Sequence, residues 1–331
     1  MQYEPDRQFL SKLSALKKDV AAYLENFLVK KHPESLYAPI QYTMSGDGKR
    51  LRPALLLLAA EALGGARSCS MPAAVGVELL HNFTLVHDDI MDKDDTRRGR
   101  PTVHQKWDTD VALLAGDGLV GLAYAALLRS ESEKLPQIMR IFTDGIIEVC
   151  EGQALDREFE ARDFVEMQDY LEMIGKKTAC LLRMCTEIGG LVARGSEEHI
   201  LALRRFGENL GMAFQIQDDL LDITADEKKL GKDFGSDVKQ KKKTYMYIHA
   251  MQHGSKAQVA ELQEIYSKSM ITEQDILRVR SLFEQIGTLS ETGKAVRSYI
   301  EKAESSLALL SEDVRTQDLH EFLRMILFRK A

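Results

Sequence analysis

The last proline in this chain is Pro136. Residues 137–331 contain none, and only seven occur in all. Proline lacks a backbone N–H and clashes inside a helix, so a stretch this long without one is free to run as long helices. The apolar residues agree. Leu203, Phe206, Leu210, Ala213 and Phe214 recur at spacings of three and four, as do Ile276, Val279, Leu282, Phe283 and Ile286. That is the period of a helix with one buried face. Strand alternation bounded by turn pairs is hard to find, and no repeat, low-complexity tract or linker divides the chain. The expectation is an all-α fold of ten or more helices, a single domain over residues 1–331.

Some boundaries follow. Pro53 suits the first turn of a helix that Gly64-Gly65 ends. A second helix is expected from Met71-Pro72 through Asp92, with Gly99 and Pro101 breaking the chain after it. A third covers Arg204–Ile223, and the polar stretch Thr224–Lys243 follows as a loop. Val111–Leu128 is mostly apolar, but Asp117 and three glycines interrupt it. It reads as a buried helix pair or a kinked core helix rather than a membrane span, which needs about 20 predominantly apolar residues.

Composition narrows the function. With 44 Lys+Arg against 51 Asp+Glu the net charge is −7, which argues against a general nucleic-acid binder. A hydrophobic fraction of 44% with 29% charged residues fits a soluble globular protein. The N-terminus, MQYEPDRQFLSKLSALKK, has no apolar core and is not a secretory signal. Cys69, Cys150, Cys180 and Cys185 form no CxxC and have no histidine at metal spacing. They are expected to be buried free thiols in a reducing cytoplasm.

Two clusters carry the chemistry. His87-Asp88-Asp89-Ile90-Met91-Asp92 and Gln217-Asp218-Asp219-Leu220-Leu221-Asp222 each contain DDxxD inside an apolar helical run. Residues four apart share a helix face at about 6 Å. Asp88 with Asp92, and Asp218 with Asp222, therefore project together, where their charges repel. A hard divalent cation resolves that repulsion, and Mg2+ favours one or two carboxylates completed by water and substrate phosphates. Acidic residues at a helix C-terminus also oppose the helix dipole, a cost that bound metal offsets. Basic runs surround the clusters: Gly46-Asp47-Gly48-Lys49-Arg50-Leu51-Arg52-Pro53, Arg97-Arg98-Gly99-Arg100-Pro101, Lys176-Lys177-Thr178, Lys232, and Lys241-Lys242-Lys243-Thr244. Arginine forks and lysine ammoniums bind phosphate oxygens, so the alternation suggests a cavity holding diphosphates and Mg2+ together. His81, two turns before Asp88 on the same face, is a candidate donor there.

On LVHDDIMD…RRGRPTVH, GKKTA, FQIQDDLLD and LGKDFGSD…KKKT, in that order, the chain resembles the trans-isoprenyl (polyprenyl) diphosphate synthases over nearly its whole length. The resemblance implies a bundle of long helices around a deep central cavity, usually as a homodimer. It implies head-to-tail condensation of isopentenyl diphosphate with an allylic diphosphate. It also implies three Mg2+ per site (Mn2+ being an alternative), two on Asp88 and Asp92 and one on Asp218. Asp89, Asp219 and Asp222 would be further ligands or supports. Arg97, Lys177, Lys232 and Lys242 would grip the allylic diphosphate. Lys49, Arg52, His81 and Arg98 would hold isopentenyl diphosphate, and Thr178 and Gln215 would lie near the allylic carbon. Two positions depart from the family pattern: Gly46-Asp47-Gly48 where two adjacent glycines are common, and Lys241 where a glycine often precedes Lys242.

In the family the product grows down from the first aspartate motif, and a bulky residue five positions before it acts as a floor. Here that residue is Phe83, about 7.5 Å deeper, with the small Thr84 beside it. The pattern points first to geranylgeranyl diphosphate and then to farnesyl diphosphate or a longer product. A terpene cyclase or head-to-head enzyme has no need of Lys49, Arg52 and Arg98. A regulatory subunit usually lacks one aspartate cluster. A di-iron protein uses paired Glu-x-x-His motifs, of which only Glu78-Leu79-Leu80-His81 is present.

Overall fold

The computed structural model describes residues 6–46, 48–224, 234–312 and 314–327. Helices run in the order α1 (Arg7–Phe27), α2 (Glu34–Met44), α3 (Leu51–Ala62), α4 (Arg67–Asp92), α5 (Val103–Lys106), α6 (Thr109–Leu127), α7 (Leu135–Ala161), α8 (Met167–Ile174), α9 (Cys180–Val192) and α10 (Glu197–Thr224). The remainder are α11 (Ser236–Lys239), α12 (Tyr245–His253), α13 (Lys256–Ser267), α14 (Glu273–Ile286), α15 (Thr288–Leu307) and α16 (Gln317–Leu327). The all-α expectation holds. Among the described residues the sole sheet is a hairpin, β1 (Thr96–Arg97) and β2 (Arg100–Pro101). Arg98 and Gly99 both have positive φ, 53° and 70°, the backbone of a tight two-residue hairpin turn.

Two apolar clusters organise the bundle. One gathers α1–α4, α6, α9 and α16 with the first part of α10. The other gathers α8, α12 and α14 with the second part of α10. α7 and α10 contribute to both, Phe142 and Leu210 to the first and Phe159 and Ile216 to the second. α3 and α9 are buried nearly all round, as expected of central helices without a solvent face. Gly189 lets them meet closely: a Cβ there would lie 2.5 Å from the Leu56 carbonyl.

Some expectations need correction. α4 begins at Arg67, not Met71, and runs through Pro72. The bond that Pro72 cannot donate would go to Ser68, whose exposure leaves that carbonyl to water. The Val111–Leu128 stretch is one helix, neither a pair nor fully buried. It is long and apolar enough to cross a membrane, yet only 39% of its apolar window is buried, and Leu113, Leu114 and Leu128 are exposed. All four cysteines are free, but Cys69 and Cys150 are exposed, with only Cys180 and Cys185 buried.

Candidate active site

Asp88, Asp89 and Asp92 occupy the last turns of α4, and Asp218, Asp219 and Asp222 the last described turns of α10. The negative end of the α4 dipole makes this a poor place for carboxylates, and neighbouring cations respond. On α4, Arg97 from the hairpin donates Nε to Asp89 and reaches Asp94 at 3.5 Å. Burial pushes the Asp89 carboxyl up to about 6 even against the pull of Arg97. Asp88 is also raised, by burial first. Lys177 works against that rise, and Asp92 and Asp156 reinforce it.

Lys177 and Thr178 reach the site through a change of helical pitch. Gly175–Ala179, between α8 and α9, forms a π-helical turn, a rare local geometry that often marks functional sites. Lys176 faces away onto Glu151 and Glu172, each at 3.0 Å. Lys177 turns inward, its Nζ 2.5 Å from Asp156 Oδ2 on α7. Close approach of α7 requires Gly152, since a Cβ there would lie 2.3 Å from the Lys177 backbone nitrogen. Thr178 donates to Gln215 Oε1 at 2.8 Å. Gln215 Nε2 in turn donates to Asp219 Oδ1 at 2.9 Å, and the Tyr170 hydroxyl donates to Asp219 Oδ2 at 2.6 Å. Asp219 is thus the hub of a buried network. Burial, reinforced by Asp237, pushes its carboxyl up to about 8.

Lys242 joins the motifs. Burial disfavours its charge, but Asp237, Asp156, Asp92 and Asp219 outweigh that and raise it. One ammonium thereby feels carboxylates of both DDxxD segments, which brings the two helix ends to a shared space. Its neighbour Lys241 adopts positive φ and spends its ammonium on the Lys268 carbonyl. Within the basic run it is therefore Lys242 that faces the carboxylates. Asp222 is occupied differently, accepting from Ser236 Oγ at 2.7 Å and from the Asp237 N–H at 3.1 Å. It holds the turn that presents Asp237. Lys232 lies outside the described residues.

A second, basic pocket lies along α4. Arg52 Nη1 is 3.1 Å from His81 Nε2. Arginine only donates, so Nε2 accepts and the proton sits on Nδ1. Burial, with Arg52, Arg98, Arg97 and Arg50 nearby, holds His81 well below its ordinary value and hence neutral. Arg52 Nε and His81 Nδ1 are both buried without a protein partner. Orphaned buried donors of this kind are what an incoming anion would satisfy. Arg97, Arg98 and Arg100 line a cleft with Gly46, Asn82 and Asp89. Arg52 also borders an apolar pocket formed by Leu55, Leu182, Phe214 and Phe322. Lys49 is exposed at the start of this segment. Phe83 lies one turn from His87, with ring centroids 4.7 Å apart edge to face, and Thr84 is buried, its hydroxyl on the His81 carbonyl.

Among the described residues no three ligating side chains converge on one point. The donor chemistry still fits Mg2+, because Asp88, Asp92 and Asp218 offer hard oxygens, and Asp92 and Asp156 crowd Asp88. The remaining positions would fall to water and phosphate oxygens. The sequence motifs did not disclose Asp156, Tyr170, Asp237 or the pair Arg50 and Glu78. Asp237 closes GKDFGSD, and Glu78 lies one turn before His81, but Tyr170 carries no local signal.

Comparison with known proteins agrees with this geometry. The sequence profile of the polyprenyl synthetase family matches residues 33–285. A geranylgeranyl diphosphate synthase of Methanosarcina mazei is 43% identical over 296 residues, 88% of this chain and 89% of its own length. A geranylfarnesyl diphosphate synthase of Natronomonas pharaonis is 41% identical over 251 residues, 70% and 73% of the two chains. The crystal structure of a geranylgeranyl pyrophosphate synthetase from Pyrococcus horikoshii superposes with a TM-score of 0.91 at 35% identity, covering 98% of this chain and 99% of that one. With a family profile over most of the chain and relatives at this identity and coverage, the chain belongs to the polyprenyl synthetase family.

Proposed function

We propose that this chain is a trans-prenyltransferase that condenses isopentenyl diphosphate head to tail with an allylic diphosphate (dimethylallyl, geranyl or farnesyl). Its product on this reading is geranylgeranyl diphosphate. The observation that carries the proposal is the pairing of two anion sites of opposite design on α4. One is acidic and suited to a metal-bound diphosphate; the other is basic, with orphaned donors on Arg52 and His81.

Asp88, Asp92 and Asp218 would hold Mg2+, which would supply Lewis-acid stabilisation of the negative charge on a departing diphosphate. Arg97, Lys177, Lys232 and Lys242 grip the oxygens of the allylic diphosphate. They favour cleavage of the allylic C–O bond, with the electron pair leaving on oxygen. Thr178 and Gln215 present neutral dipoles to the allylic cation without trapping it, and Asp219 with Tyr170 fixes their orientation. Lys49, Arg52, His81 and Arg98 hold isopentenyl diphosphate so that its double bond forms the new C–C bond. The proton then lost from the isopentenyl carbon passes to the released diphosphate. Phe83, beside His87, limits the depth available to the growing chain. The name carried by the Methanosarcina mazei relative supports a twenty-carbon product, and that of the Natronomonas pharaonis relative keeps a longer one in view.

The reading extends to the assembly. An apolar helix left largely uncovered, with Leu113 and Leu114 on α6, Leu128 at its C-cap and Ile147 on α7 exposed, supports a homodimer formed through this face. Residues 1–331 act as one domain, supported by α7 and α10 running through both apolar clusters. Exposed free thiols at Cys69 and Cys150 fit a reducing cytoplasm.

The test is direct. Purified protein is incubated with Mg2+, labelled isopentenyl diphosphate and each of the five-, ten- and fifteen-carbon primers, and the products are sized. Chain extension to twenty carbons is expected from the protein alone. No incorporation would remove the enzymatic reading and favour a regulatory subunit of a two-component synthase.

A further inference from the structure

We infer that Glu78 and Arg50 form a positioning pair for isopentenyl diphosphate, a role that rests on the reading of the Arg52–His81–Arg98 pocket given above. Arg50 caps α3 in the left-handed region, φ 47°. A non-glycine residue persists there only when its surroundings hold it. Two contacts do so: its guanidinium donates to the Met44 carbonyl and to the Glu78 carboxylate. Glu78 is 2% exposed on α4. Asn82, one turn on, donates to its Oε1 at 3.0 Å and to its backbone carbonyl at 2.8 Å.

The placement is informative because a carboxylate beside an anion site should weaken binding. Glu78 lies close enough to raise both Arg52 and Arg98, against the burial that lowers them. Arg50, Arg52, Arg97 and Arg98 crowd neutral His81; of the two buried carboxylates among them, Asp89 takes Arg97 and Glu78 takes Arg50. Arg98 packs over Gly48, where a Cβ would lie 2.9 Å from its Nη1 and 3.4 Å from that of Arg50. Pairing Glu78 directly with Arg50 neutralises that arginine. It also fixes the turn from which Lys49 and Arg52 project, and leaves their charge for the diphosphate. The anionic residue acts through Arg50 and does not touch substrate.

A purely architectural ion pair tying α3 to α4 would produce the same contacts, so the test must separate the two. Steady-state kinetics are compared for the wild type, Glu78→Gln, and the double variant Arg50→Met/Glu78→Met, with the melting temperature of each. Removing one member of a buried pair leaves the other uncompensated, whereas removing both restores packing. The expected result is a KM for isopentenyl diphosphate raised about tenfold in both variants. The KM for the allylic primer should stay within about twofold of wild type, and the double variant should recover the melting temperature lost by Glu78→Gln without recovering that KM. Should Glu78→Gln not fold, the double variant alone carries the comparison. The proposal is overturned if the two KM values rise together, if neither rises, or if the double variant regains the isopentenyl KM along with its stability. A wild type that consumes no isopentenyl diphosphate would instead sink the functional reading beneath it.

Discussion

Replacing Asp88 by Asn should make the metal-free protein more stable and nearly abolish its turnover. The Asp88 carboxyl is raised relative to the unfolded chain, burial being the leading cause. A raised carboxyl contributes stability only below its unfolded value and is a net cost at neutral pH. Asp88 and Asp92 are separated by one helical turn, about 6 Å. Two unit charges at that separation repel by about 0.7 kcal/mol in bulk water and about 2.8 kcal/mol at an effective dielectric constant of about 20. Asp156 adds to the repulsion. Lys177 offsets part of it, but Lys177 is already engaged by Asp156. A gain of about 1 kcal/mol for Asp88→Asn in chelator-treated buffer is the expected net.

The assay is urea unfolding of both proteins, first with EDTA and then with Mg2+ and inorganic pyrophosphate. A ligand present at about 100 times its Kd stabilises the folded state by about 2.7 kcal/mol. The wild type should gain on that scale and the variant much less, so the order of stability reverses between the two buffers. Turnover should fall by about 100- to 1,000-fold, the usual loss on removing one preorganised stabiliser of developing charge. A variant that is less stable than wild type in EDTA, or that keeps its turnover, would refute the argument that these carboxylates are held apart from their preferred state for a cation.

Tyr170→Phe removes one of the two donors to buried Asp219 and should cost about 1–3 kcal/mol in urea unfolding, with a lower kcat because Gln215 loses its fixed neighbour. An unchanged midpoint would show that the hydroxyl is idle. Phe83→Ala should lengthen the product beyond twenty carbons, and an unaltered product distribution would discount Phe83 as the floor. His81→Gln should flatten the acid limb of stability. The folded value of His81 lies well below its unfolded one, so below about pH 6.5 the unfolded chain binds a proton that the folded chain does not. That costs up to about 1.4 kcal/mol per pH unit. Unfolding measured from pH 7 to 5 should show the smaller slope in the variant, and equal slopes would count against a neutral His81.

The helices were legible because their signals are local. Freedom from proline and a spacing of three and four place α10 and α14 without any knowledge of their neighbours. The hairpin at Thr96–Pro101 was not legible, since two-residue strands carry no alternation and its turn uses Arg98-Gly99 in place of the usual Asn-Gly or Asp-Gly. The exposed face of α6 was misread for a related reason. Composition reports that a helix is apolar, and only packing reports which side remains uncovered. At the site, contiguous motifs announced Asp88, Asp92 and Asp218. Asp156 and Tyr170 reach the same space from α7 and α8, and no spacing within either helix distinguishes them from solvated residues. Lys241 and Lys242 were indistinguishable as letters. The positive φ of Lys241 turns one out and leaves the other among the carboxylates.

What unites the site is a single stripe on α4. Glu78, His81, Leu85, Asp88 and Asp92 follow one another at three and four, so they share a face over four turns, with Asn82 and Asp89 beside them. The early part of the stripe anchors the basic pocket and the late part the acidic one. His81 and Asp88, seven residues apart, lie about 10.5 Å from each other along the axis. Two substrates that each carry a diphosphate must approach with their charged ends apart and their reactive carbons together. A loop could not hold two strongly charged groups at a constant separation against their own fields, but a helix buried on its other faces can. Phe83 is part of the same helix. On the proposed reading, the element that fixes the distance between the two diphosphates also carries Phe83, the residue proposed to bound the growing product, so one helix would couple the geometry of condensation to the length of what is made.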